Sequence, residues 1–475
     1  MGLRQEEAVS GVRRTGRGLV TAFLVLAACT GPSDSPGDAR ELASRDAPNV
    51  LIILTDDQRA DSLEVMPDTS RYFKDGGTQF PQAFATTPLC CPFRAAMFSG
   101  RYAHNNGVRL NTDGFKLDQE ATMQRYLQDA GYSTGITGKF LNRWPIDDAP
   151  PHFDEWAIFS PNVENRAYVN VEFNVDGEVD IVPQYSTGFI EDQAVRMLND
   201  FETDDDRPWL LFVTPFAPHT PFLPEPKYAN APVPEWSSNP AVGESDRRDK
   251  PQFIQERLFS PKEGLEVRTK QLRTLMSVDD LVERVMGRLE ALGENENTMA
   301  FYMSDNGYLW GEHGAVEKKL PYTPSINIPF YLRWPRAFEP GTISDRFVTT
   351  VDIAPTILDA ASVDLPRDPV MDGTSLLADD PGALALVEHW RNNQVRTAPT
   401  WASLRTTRYQ YIEYYDRDED TIIFSEYYDL TDDPFQLVNL LGDDDATNDP
   451  SPRLVERLGD RLEALRTCAG PVACP

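Results

Sequence analysis

A short apolar segment, residues 48–55, ends abruptly at the adjacent carboxylates of Asp56 and Asp57. Its aliphatic and β-branched side chains predict a buried strand. Similar segments follow at residues 209–214, 298–303 and 328–332. Helical stretches separate them, at residues 121–130, 190–201 and 265–292. Because strands alternate with helices, the sequence predicts an α/β fold with a mainly parallel central sheet flanked by helices.

Polar side chains stand at the ends of two of these strands. Asp56 and Asp57 follow the first strand, and Asp305 and Asn306 follow the strand predicted at residues 298–303. In open α/β sheets, ligands bind beyond the carboxyl ends of the strands. Carboxylate and amide oxygens suit Ca²⁺ or Mg²⁺ better than a thiophilic metal. The alternative interpretation of the Asp pair is capping of the next helix.

The predicted pattern of secondary structure changes after residue 377. Short strand-like segments and a final helix are predicted there, at residues 409–415, 421–428 and 453–467. We therefore predict a main domain over residues 47–377 and a smaller C-terminal α+β subdomain over residues 378–475.

The first 28 residues resemble a bacterial lipoprotein signal peptide. Arginines precede an apolar run, residues 19–28, which is too short to span a bilayer and ends directly before Cys29. We expect cleavage before Cys29, lipidation of its thiol and export to the cell surface or periplasm, with the membrane contacted through the lipid only. An ordinary signal peptide is the alternative, and the route, Sec or twin-arginine, stays open. Residues 29–46 are rich in Pro, Gly and Ser, which predicts a flexible tether.

Four further cysteines form two pairs along the chain. Cys468 and Cys474 close a short loop and are candidates for a disulfide in an oxidising compartment. Cys90 and Cys91 are adjacent, and adjacent cysteines seldom bond to each other because the geometry is strained. The adjacent pair therefore has another purpose.

Residues 89–101 read LCCPFRAAMFSGR. This segment resembles the signature of the formylglycine-dependent sulfatases, in which Cys, Pro and Arg stand at alternate positions ahead of a Thr/Ser-Gly pair. The resemblance implies that a formylglycine-generating enzyme oxidises the cysteine to an aldehyde, whose hydrate attacks sulfur. Only Cys90 is in register with Pro92 and Arg94, so Cys90 rather than Cys91 is the expected nucleophile. A buried cysteine ahead of a helix is the alternative interpretation.

Further segments follow in the order found in that family. They are GK at 138–139, PHTP at 218–221, SDNGY at 304–308, GEHG at 311–314, Lys318, VDIAPT at 351–356 and DGTSL at 372–376. With a last segment at residues 428–440, the resemblance covers nearly all of residues 47–440. It implies an alkaline phosphatase-like fold for the main domain.

The resemblance also implies roles for individual residues. The expected ligands of Ca²⁺, with Mg²⁺ as the alternative, are Asp56, Asp57, Cys90 as formylglycine, Asp305 and Asn306. Three cations, Arg94, Lys139 and Lys318, are expected to hold the sulfate oxygens. His219 or Lys318 would protonate the departing alcohol. Asn142 and His313 are weaker candidates for substrate contacts, and His104 is expected to be structural. Taken singly, a lysine is commonly solvated and His219 could brace a loop between prolines.

The chain departs from many sulfatases at one position. Those relatives carry a His two residues after the lysine of the Gly-Lys pair, where this chain has Leu141. In those relatives that His takes a proton as sulfate is expelled. The base for this step is therefore open here among His219, His313 and Asn142 acting through water.

The run GKFLN at residues 138–142 is similar to N-acetylglucosamine-6-sulfatases and extracellular heparan endosulfatases. This similarity favours a sulfated sugar or oligosaccharide over a simple aryl sulfate. An arylsulfatase, a phosphonate or phosphate ester hydrolase on the same scaffold, and a non-catalytic binding protein are the alternatives. The net charge of -30 disfavours nucleic-acid binding and predicts short or lightly sulfated substrates.

Overall fold

The protein, seen in a computed structural model, is built around a ten-stranded sheet with strand order β11-β2-β10-β9-β1-β8-β4-β5-β6-β7. The strands are β1 (Asn49–Thr55), β2 (Thr78–Gln79), β3 (Ala83–Phe84), β4 (Ser133–Lys139), β5 (Glu155–Phe159), β6 (Val171–Val175), β7 (Glu178–Val182), β8 (Trp209–Thr214), β9 (Thr298–Ser304), β10 (Phe330–Arg333), β11 (Thr342–Ile343), β12 (Val348–Thr349), β13 (Ala385–His389), β14 (Thr400–Arg405), β15 (Tyr409–Tyr415) and β16 (Ile422–Asp429). The five strands β9-β1-β8-β4-β5 are parallel to one another, and the strands on either side of them, β10 and β6, are antiparallel to β9 and β5. The fold is thus α/β with a mainly parallel central sheet, as predicted.

The helices are α1 (Pro67–Thr69), α2 (Cys90–Ser99), α3 (Ala103–Asn106), α4 (Met123–Asp129), α5 (Ser186–Phe201), α6 (Gln252–Gln255), α7 (Pro261–Leu292), α8 (Thr323–Ile326), α9 (Ile353–Ala360) and α10 (Pro452–Leu465). The structure describes residues 47–160, 167–203, 207–379, 382–392, 398–419 and 421–475. All of these belong to one compact unit, Glu41–Pro475.

Strand β1 is buried on both faces along its whole length. Val50, Ile52 and Leu54 point into the core that α2, α4 and α9 cover, whereas Leu51 and Ile53 point into the core under α5 and α7. Full burial of each such side chain contributes roughly 1.5–3 kcal/mol. The unbroken apolar run of this segment therefore places it at the centre of the sheet.

Helix α7 covers one face of the sheet, and local sequence sets both of its ends. The Ser260 hydroxyl accepts a hydrogen bond from the Glu263 N–H (3.3 Å), and the Glu263 carboxylate accepts one from the Ser260 N–H (2.8 Å). This reciprocal capping box satisfies two free donors at the N-terminus. Pro261 occupies the first helical position, and Gly293 ends the helix with a φ of 87°.

A second, four-stranded antiparallel sheet, β13-β14-β15-β16, lies near the C-terminus. One face packs on Phe84, Leu320 and Tyr322 of the main part of the fold, and the other packs on α10 through Leu458 and Leu462. This small sheet with its helix is the α+β element predicted for the C-terminal region. The boundary after residue 377 stays a prediction.

Several sequence expectations are tested directly by this fold. Cys468 and Cys474 form the expected disulfide. The predicted signal peptide and tether, residues 1–46, lie outside the described residues. Within the described ranges, the helices are all too short or too polar to cross a membrane.

Strand β4 was not expected, although it carries Lys139 at its end. Its sequence, STGITGK, has one aliphatic residue and two glycines, whereas β1, β8 and β9 have apolar runs. The glycines are needed because neighbours occupy the space of a side chain. A Cβ at Gly135 would lie 2.9 Å from the Phe201 ring, and one at Gly138 would lie 2.1 Å from the Thr214 carbonyl oxygen. Because β4 packs closely against β8 and α5, it carries glycines in place of apolar side chains, and its sequence does not show the hydrophobic pattern of a strand.

We predict that Gly138→Ala destabilises the protein by about 3 kcal/mol, because it adds a backbone clash to a φ of 107° that L-residues disfavour. Gly177→Ala is the matched control: it has a φ of 99° but nothing within 4 Å of the added Cβ, and it should cost about 1 kcal/mol. Urea denaturation measures both free energies of unfolding. Equal decreases in the free energy of unfolding for the two variants would contradict the close approach of β4 and β8.

Candidate active site

Polar side chains converge at the carboxyl ends of four neighbouring strands, β9, β1, β8 and β4. Lys139 is the last residue of β4, and the loop after β8 carries His219. The remaining members follow β1 and β9 directly and are Asp56, Asp57, Asp305 and Asn306. Parallel register brings these ends level, with Thr55 directly opposite Ser304. The sheet thus assembles side chains that are far apart in the sequence.

Cys90 enters the cluster from the N-terminus of α2. The helix places residues four apart on the same face, so Cys90 and Arg94 point together toward the strand ends. Pro92 fits in the first turn because its missing N–H would have no intrahelical acceptor there. The Cys-x-Pro-x-Arg spacing is therefore a local device that presents a thiol and a guanidinium side by side.

The Cys90 thiol is completely buried among charges. Its Sγ lies 3.4 Å from Asp56 Oδ1, to which it donates, and accepts a hydrogen bond from Lys318 Nζ at 2.9 Å. Burial, and next the Asp56 carboxylate, raise the pKa of Cys90 to about 11. The unmodified side chain is therefore a neutral thiol at neutral pH and a poor nucleophile.

Buried cations pair with each buried carboxylate of the cluster. Lys139 contacts Asp56, and Lys318 contacts Asp57. Arg94 donates to Asp305 Oδ2 from Nε (3.2 Å) and Nη2 (3.1 Å). A third nitrogen of Arg94, Nη1, donates to the Lys139 carbonyl at 2.6 Å, which ties α2 to the end of β4.

The same pairs set the protonation of the cluster. Burial would raise the pKa of Asp56, but Lys139, His219 and Lys318 lower it far below its usual range. Burial would lower the pKa of Lys318, but Asp57 and the Cys90 sulfur raise it well above its usual value. Asp56 is therefore ionised and Lys318 charged near neutral pH.

The cluster fits a hard divalent cation. Ligand atoms of Asp56, Asp57, Cys90 and His219 all lie within 4.8 Å of one another. Asn306 Nδ2 donates to Asp57 Oδ1 at 2.7 Å, but Asn306 Oδ1 is buried without a hydrogen-bond partner among the described residues. A buried acceptor that lacks a partner beside ionised carboxylates is what an oxygen-ligated cation would satisfy.

His219 lies at the edge of this cluster with its ring fixed. Its Nδ1 lies 2.8 Å from the Thr220 carbonyl oxygen, so the neutral ring carries its hydrogen on Nδ1. Its Nε2 lies 3.6 Å from Asp57 Oδ2. Burial lowers the pKa of His219, against the opposing charges of Asp57 and Asp56.

Asn142 and His313, the weaker candidates for substrate contacts, have different surroundings. Asn142 adjoins Cys91, because its backbone N–H hydrogen-bonds the Cys91 thiol, and its own Oδ1 is buried without a partner among the described residues. His313 is buried, with Nδ1 2.8 Å from Glu244 and its ring against Tyr322. No hydrogen bond or ion pair described for His313 reaches the strand-end cluster.

Leu141, at the position where many sulfatases have a His, is buried in the apolar core. His104 bonds Glu388 Oε2 (2.7 Å) and the Cys468 carbonyl (3.0 Å), which agrees with a structural role.

Sequence reasoning missed Gln58, which holds the ends of β1 and β9 together. Its Oε1 accepts hydrogen bonds from Thr55 Oγ1 (2.8 Å) and Tyr302 Oη (2.7 Å), and its N–H donates to Ser304 Oγ (2.9 Å). Thr214 was missed as well; its hydroxyl donates to the Lys139 carbonyl at 2.9 Å. The position of Gln58 directly after the Asp pair was the only available signal.

Known proteins resemble this chain along nearly its whole described length. A family model described as "Sulfatase" matches residues 48–363, and one described as "N-sulphoglucosamine sulphohydrolase, C-terminal" matches residues 311–467. The extracellular sulfatase SULF-1 homolog of Drosophila melanogaster is 34% identical over 352 residues, 70% of this chain and 31% of the relative. The N-acetylglucosamine-6-sulfatase of Homo sapiens is 29% identical over 504 residues, 94% of this chain and 89% of the relative.

The chain spans 31% and 48% of the lengths of the fly and nematode extracellular sulfatases that it matches. A solved protein in complex with its substrate, D-glucosamine-2-N,6-O-disulfate, superposes with a TM-score of 0.77 at 24% identity, over 88% of this chain and 97% of its own. At that identity the likeness shows the fold alone.

We predict that Ca²⁺ stabilises the protein against unfolding after dialysis against EDTA. At a free concentration 100 times Kd the gain is about 2.7 kcal/mol, because the cation binds only the folded cluster. Asn306→Leu should weaken the response, and Asn448→Leu, in an exposed acidic loop, should keep it. Thermal denaturation with a Ca²⁺ titration measures the effect. Equal responses of the two variants would place the cation elsewhere.

Proposed function

The chain belongs to the sulfatase family, and we propose that it hydrolyses a sulfate monoester of a sugar, the 6-sulfate of N-acetylglucosamine or a close relative. The observation that carries this proposal is the position of Cys90, buried between Asp56 and Lys318 and one helical turn from Arg94. The human relative is an N-acetylglucosamine-6-sulfatase, and the structural neighbour was solved with D-glucosamine-2-N,6-O-disulfate. Both support a glucosamine-type sugar.

The nucleophile in this proposal is made from Cys90. Because burial keeps its thiol protonated, the side chain needs conversion before it can attack sulfur. Oxidation to formylglycine by a formylglycine-generating enzyme would supply a hydrated aldehyde. One of its hydroxyls would attack sulfur and pass its proton to solvent through the Asp56 carboxylate, which accepts the Cys90 S–H in the unmodified chain. No hydrogen bond described for Cys91 reaches the ionised cluster; its thiol is hydrogen-bonded to the Asn142 backbone instead.

The residues proposed to hold the cation are Asp56, Asp57, Asp305, Asn306 and the modified Cys90. Ca²⁺ suits this all-oxygen set, with Mg²⁺ as the alternative. The cation, when bound, supplies Lewis acidity that polarises the sulfate.

The three cations of the cluster provide the electrostatic part of catalysis. Lys318 already contacts the Cys90 sulfur, and Lys139 and Arg94 are joined through the Lys139 carbonyl. These groups are fixed by their carboxylate partners before substrate arrives. Prearranged positive charge stabilises developing negative charge without the cost of reorganisation.

We assign proton transfer to His219. All five histidines are described, and His219 is the one whose ring nitrogen lies with Asp56, Asp57 and Cys90. Lys318, the other candidate, has its ammonium engaged by Asp57 and Cys90. The negative charge of the bound sulfate, with that of Asp57 and Asp56, would offset the burial that lowers the pKa of His219. The protonated ring would then donate from Nε2 to the sugar oxygen as the S–O bond breaks, while Nδ1 stays on the Thr220 carbonyl.

The same nitrogen then completes the cycle. Having given up its proton, Nε2 is an acceptor and can take a proton from the second hydroxyl of the sulfated hydrate. The C–O bond to sulfate breaks, the aldehyde re-forms and His219 is protonated again. One histidine would serve both steps, which explains how sulfate could be expelled although Leu141 replaces the usual base.

Turnover of N-acetylglucosamine 6-sulfate and phenyl phosphonate by one preparation tests the function. We expect the wild type and Cys91→Ala to hydrolyse N-acetylglucosamine 6-sulfate faster than phenyl phosphonate. Cys90→Ala should hydrolyse neither substrate. Mass spectrometry should show the Cys90 peptide about 18 Da lighter than the cysteine form, a product distinct from ordinary thiol oxidation. Phosphonate turnover equal to or above sulfate turnover would contradict the proposal, as would the mass loss on Cys91.

For His219→Ala we predict a loss of roughly 10²- to 10⁴-fold in kcat/KM on the sugar sulfate, the usual worth of general acid–base catalysis. The loss on p-nitrophenyl sulfate should be much smaller, because that leaving group needs no proton. A sulfated form of the Cys90 peptide should accumulate, because its breakdown also needs the imidazole. His152→Ala, which removes a histidine paired with Glu120, is the control. Equal losses on both substrates would assign His219 another role.

A further inference from the structure

Two polar side chains beside the cluster have no role in the mechanism above. Lys319 follows Lys318 directly and is half-buried, and its ammonium has no ion pair or hydrogen bond within the described ranges. His389, at the end of β13, is 2% exposed, and its Nδ1 is buried without a hydrogen-bond partner among the described residues. A buried polar atom that lacks a partner costs about 1–3 kcal/mol, so it calls for an explanation.

Trp401 brings these two residues together. Its indole Nε1 donates a hydrogen bond to the Lys319 carbonyl at 3.0 Å. Its ring packs against the His389 ring, with centroids 5.9 Å apart, and the two residues are directly opposite in the β13–β14 pair. The C-terminal sheet thus meets the loop that carries Lys318 through Trp401 of β14.

The position of Lys319 is imposed by its surroundings. Its φ is 76°, a left-handed conformation that costs a non-glycine residue about 1–3 kcal/mol. Strain of this kind persists at functional sites where neighbouring contacts hold it. Burial, and next Lys318, lower the pKa of Lys319, while Cys90 and Asp57 act in the opposite direction. Lys319 directly follows Lys318, whose Nζ lies 2.9 Å from the Cys90 sulfur, so Lys319 is one residue from a group in contact with the proposed nucleophile.

Among the buried and half-buried lysines of the described residues, Lys319 is the one without a carboxylate partner. The sequence has 75 acidic residues against 45 lysines and arginines, so carboxylate partners are abundant. Lys139 and Lys318, its neighbours in the site, each contact one. A half-buried cation beside the nucleophile without a carboxylate partner is a site for an anion that arrives with the substrate.

We propose that Lys319 and His389 form a second anion subsite, which binds a sulfamate or carboxylate group of the sugar whose sulfate ester lies against Cys90. Lys319 supplies the charge, and the neutral imidazole of His389 supplies a hydrogen-bond donor at Nδ1. The proposal rests on the proposed function and deepens it: the substrate carries a second negative group in addition to the ester that is hydrolysed.

Binding of sugars without a sulfate ester tests the subsite separately from catalysis. Isothermal titration of the full chain would use glucosamine N-sulfate, glucuronate and neutral N-acetylglucosamine. We expect one of the two anionic sugars to bind at least tenfold more tightly than the neutral sugar, and which one it is distinguishes sulfamate from carboxylate. Equal affinities for all three would overturn the proposal.

Variants then locate the effect. Lys319→Met should abolish the preference for the anionic sugar, and Lys319→Arg should retain it. His389→Phe, which keeps a ring against Trp401, should weaken anion binding several-fold with little change for the neutral sugar. Lys262→Met, an exposed lysine on α7, controls for the change in net charge and should leave binding unchanged. A Lys319→Met variant that weakens all three sugars equally would contradict the subsite.

Turnover separates this proposal from the proposed function. A wild type that prefers the anionic sugar but hydrolyses no sugar sulfate would support the subsite and contradict the sulfatase activity. A wild type that hydrolyses N-acetylglucosamine 6-sulfate without any preference in binding would do the reverse.

Discussion

The architecture of the site depends on the compensation of buried carboxylates by buried cations at one edge of the sheet. Removing an ion from water costs several kcal/mol, and only close pairing and hydrogen bonding offset that cost. Three carboxylates and three cations meet here, namely Asp56, Asp57 and Asp305 with Lys139, Lys318 and Arg94. Loss of one partner would leave a buried charge unpaired, at roughly 3–5 kcal/mol. The pairs therefore fix the ends of three strands, β1, β4 and β9, the N-terminus of α2 and the loop of Lys318 in one arrangement.

Close backbone packing lets one of these cations reach its place. Gly138 brings β4 against β8, where the Thr214 hydroxyl donates to the Lys139 carbonyl at 2.9 Å. That carbonyl also accepts from Arg94. A side chain at residue 138 would separate the strands and move Lys139 away from Asp56. The absence of a side chain at Gly138 thus allows the Lys139 ammonium to reach Asp56.

The C-terminal sheet takes part in the site through the loop after Lys318. Trp401 donates to the Lys319 carbonyl, and Gln410 donates to the Pro321 carbonyl at 2.7 Å. Tyr322 donates from its hydroxyl to the buried Glu426 at 3.2 Å. These bonds hold the loop from the side opposite the carboxylates. The small sheet therefore helps to position the loop that carries Lys318.

The sequence by itself determined the parts of this protein whose signals are local. Unbroken apolar runs identify β1, β8 and β9, because a strand buried on both faces excludes polar side chains. Helical spacing relates Cys90 to Arg94, and the residues directly after two strands are the ones predicted to be oxygen ligands.

Only the tertiary structure decided the features that depend on partners distant in the chain. Strand β4 lacks an apolar run because its neighbours fill the space of its side chains. The pairing of Lys318 with Asp57 spans 261 residues, and neither residue indicates its partner. The same holds for His389, whose unpaired nitrogen becomes visible only when the C-terminal sheet is packed against Lys319. Local sequence patterns indicate which residues are buried and which side chains share a face. They do not indicate which buried charges pair, because the partners are far apart in the sequence.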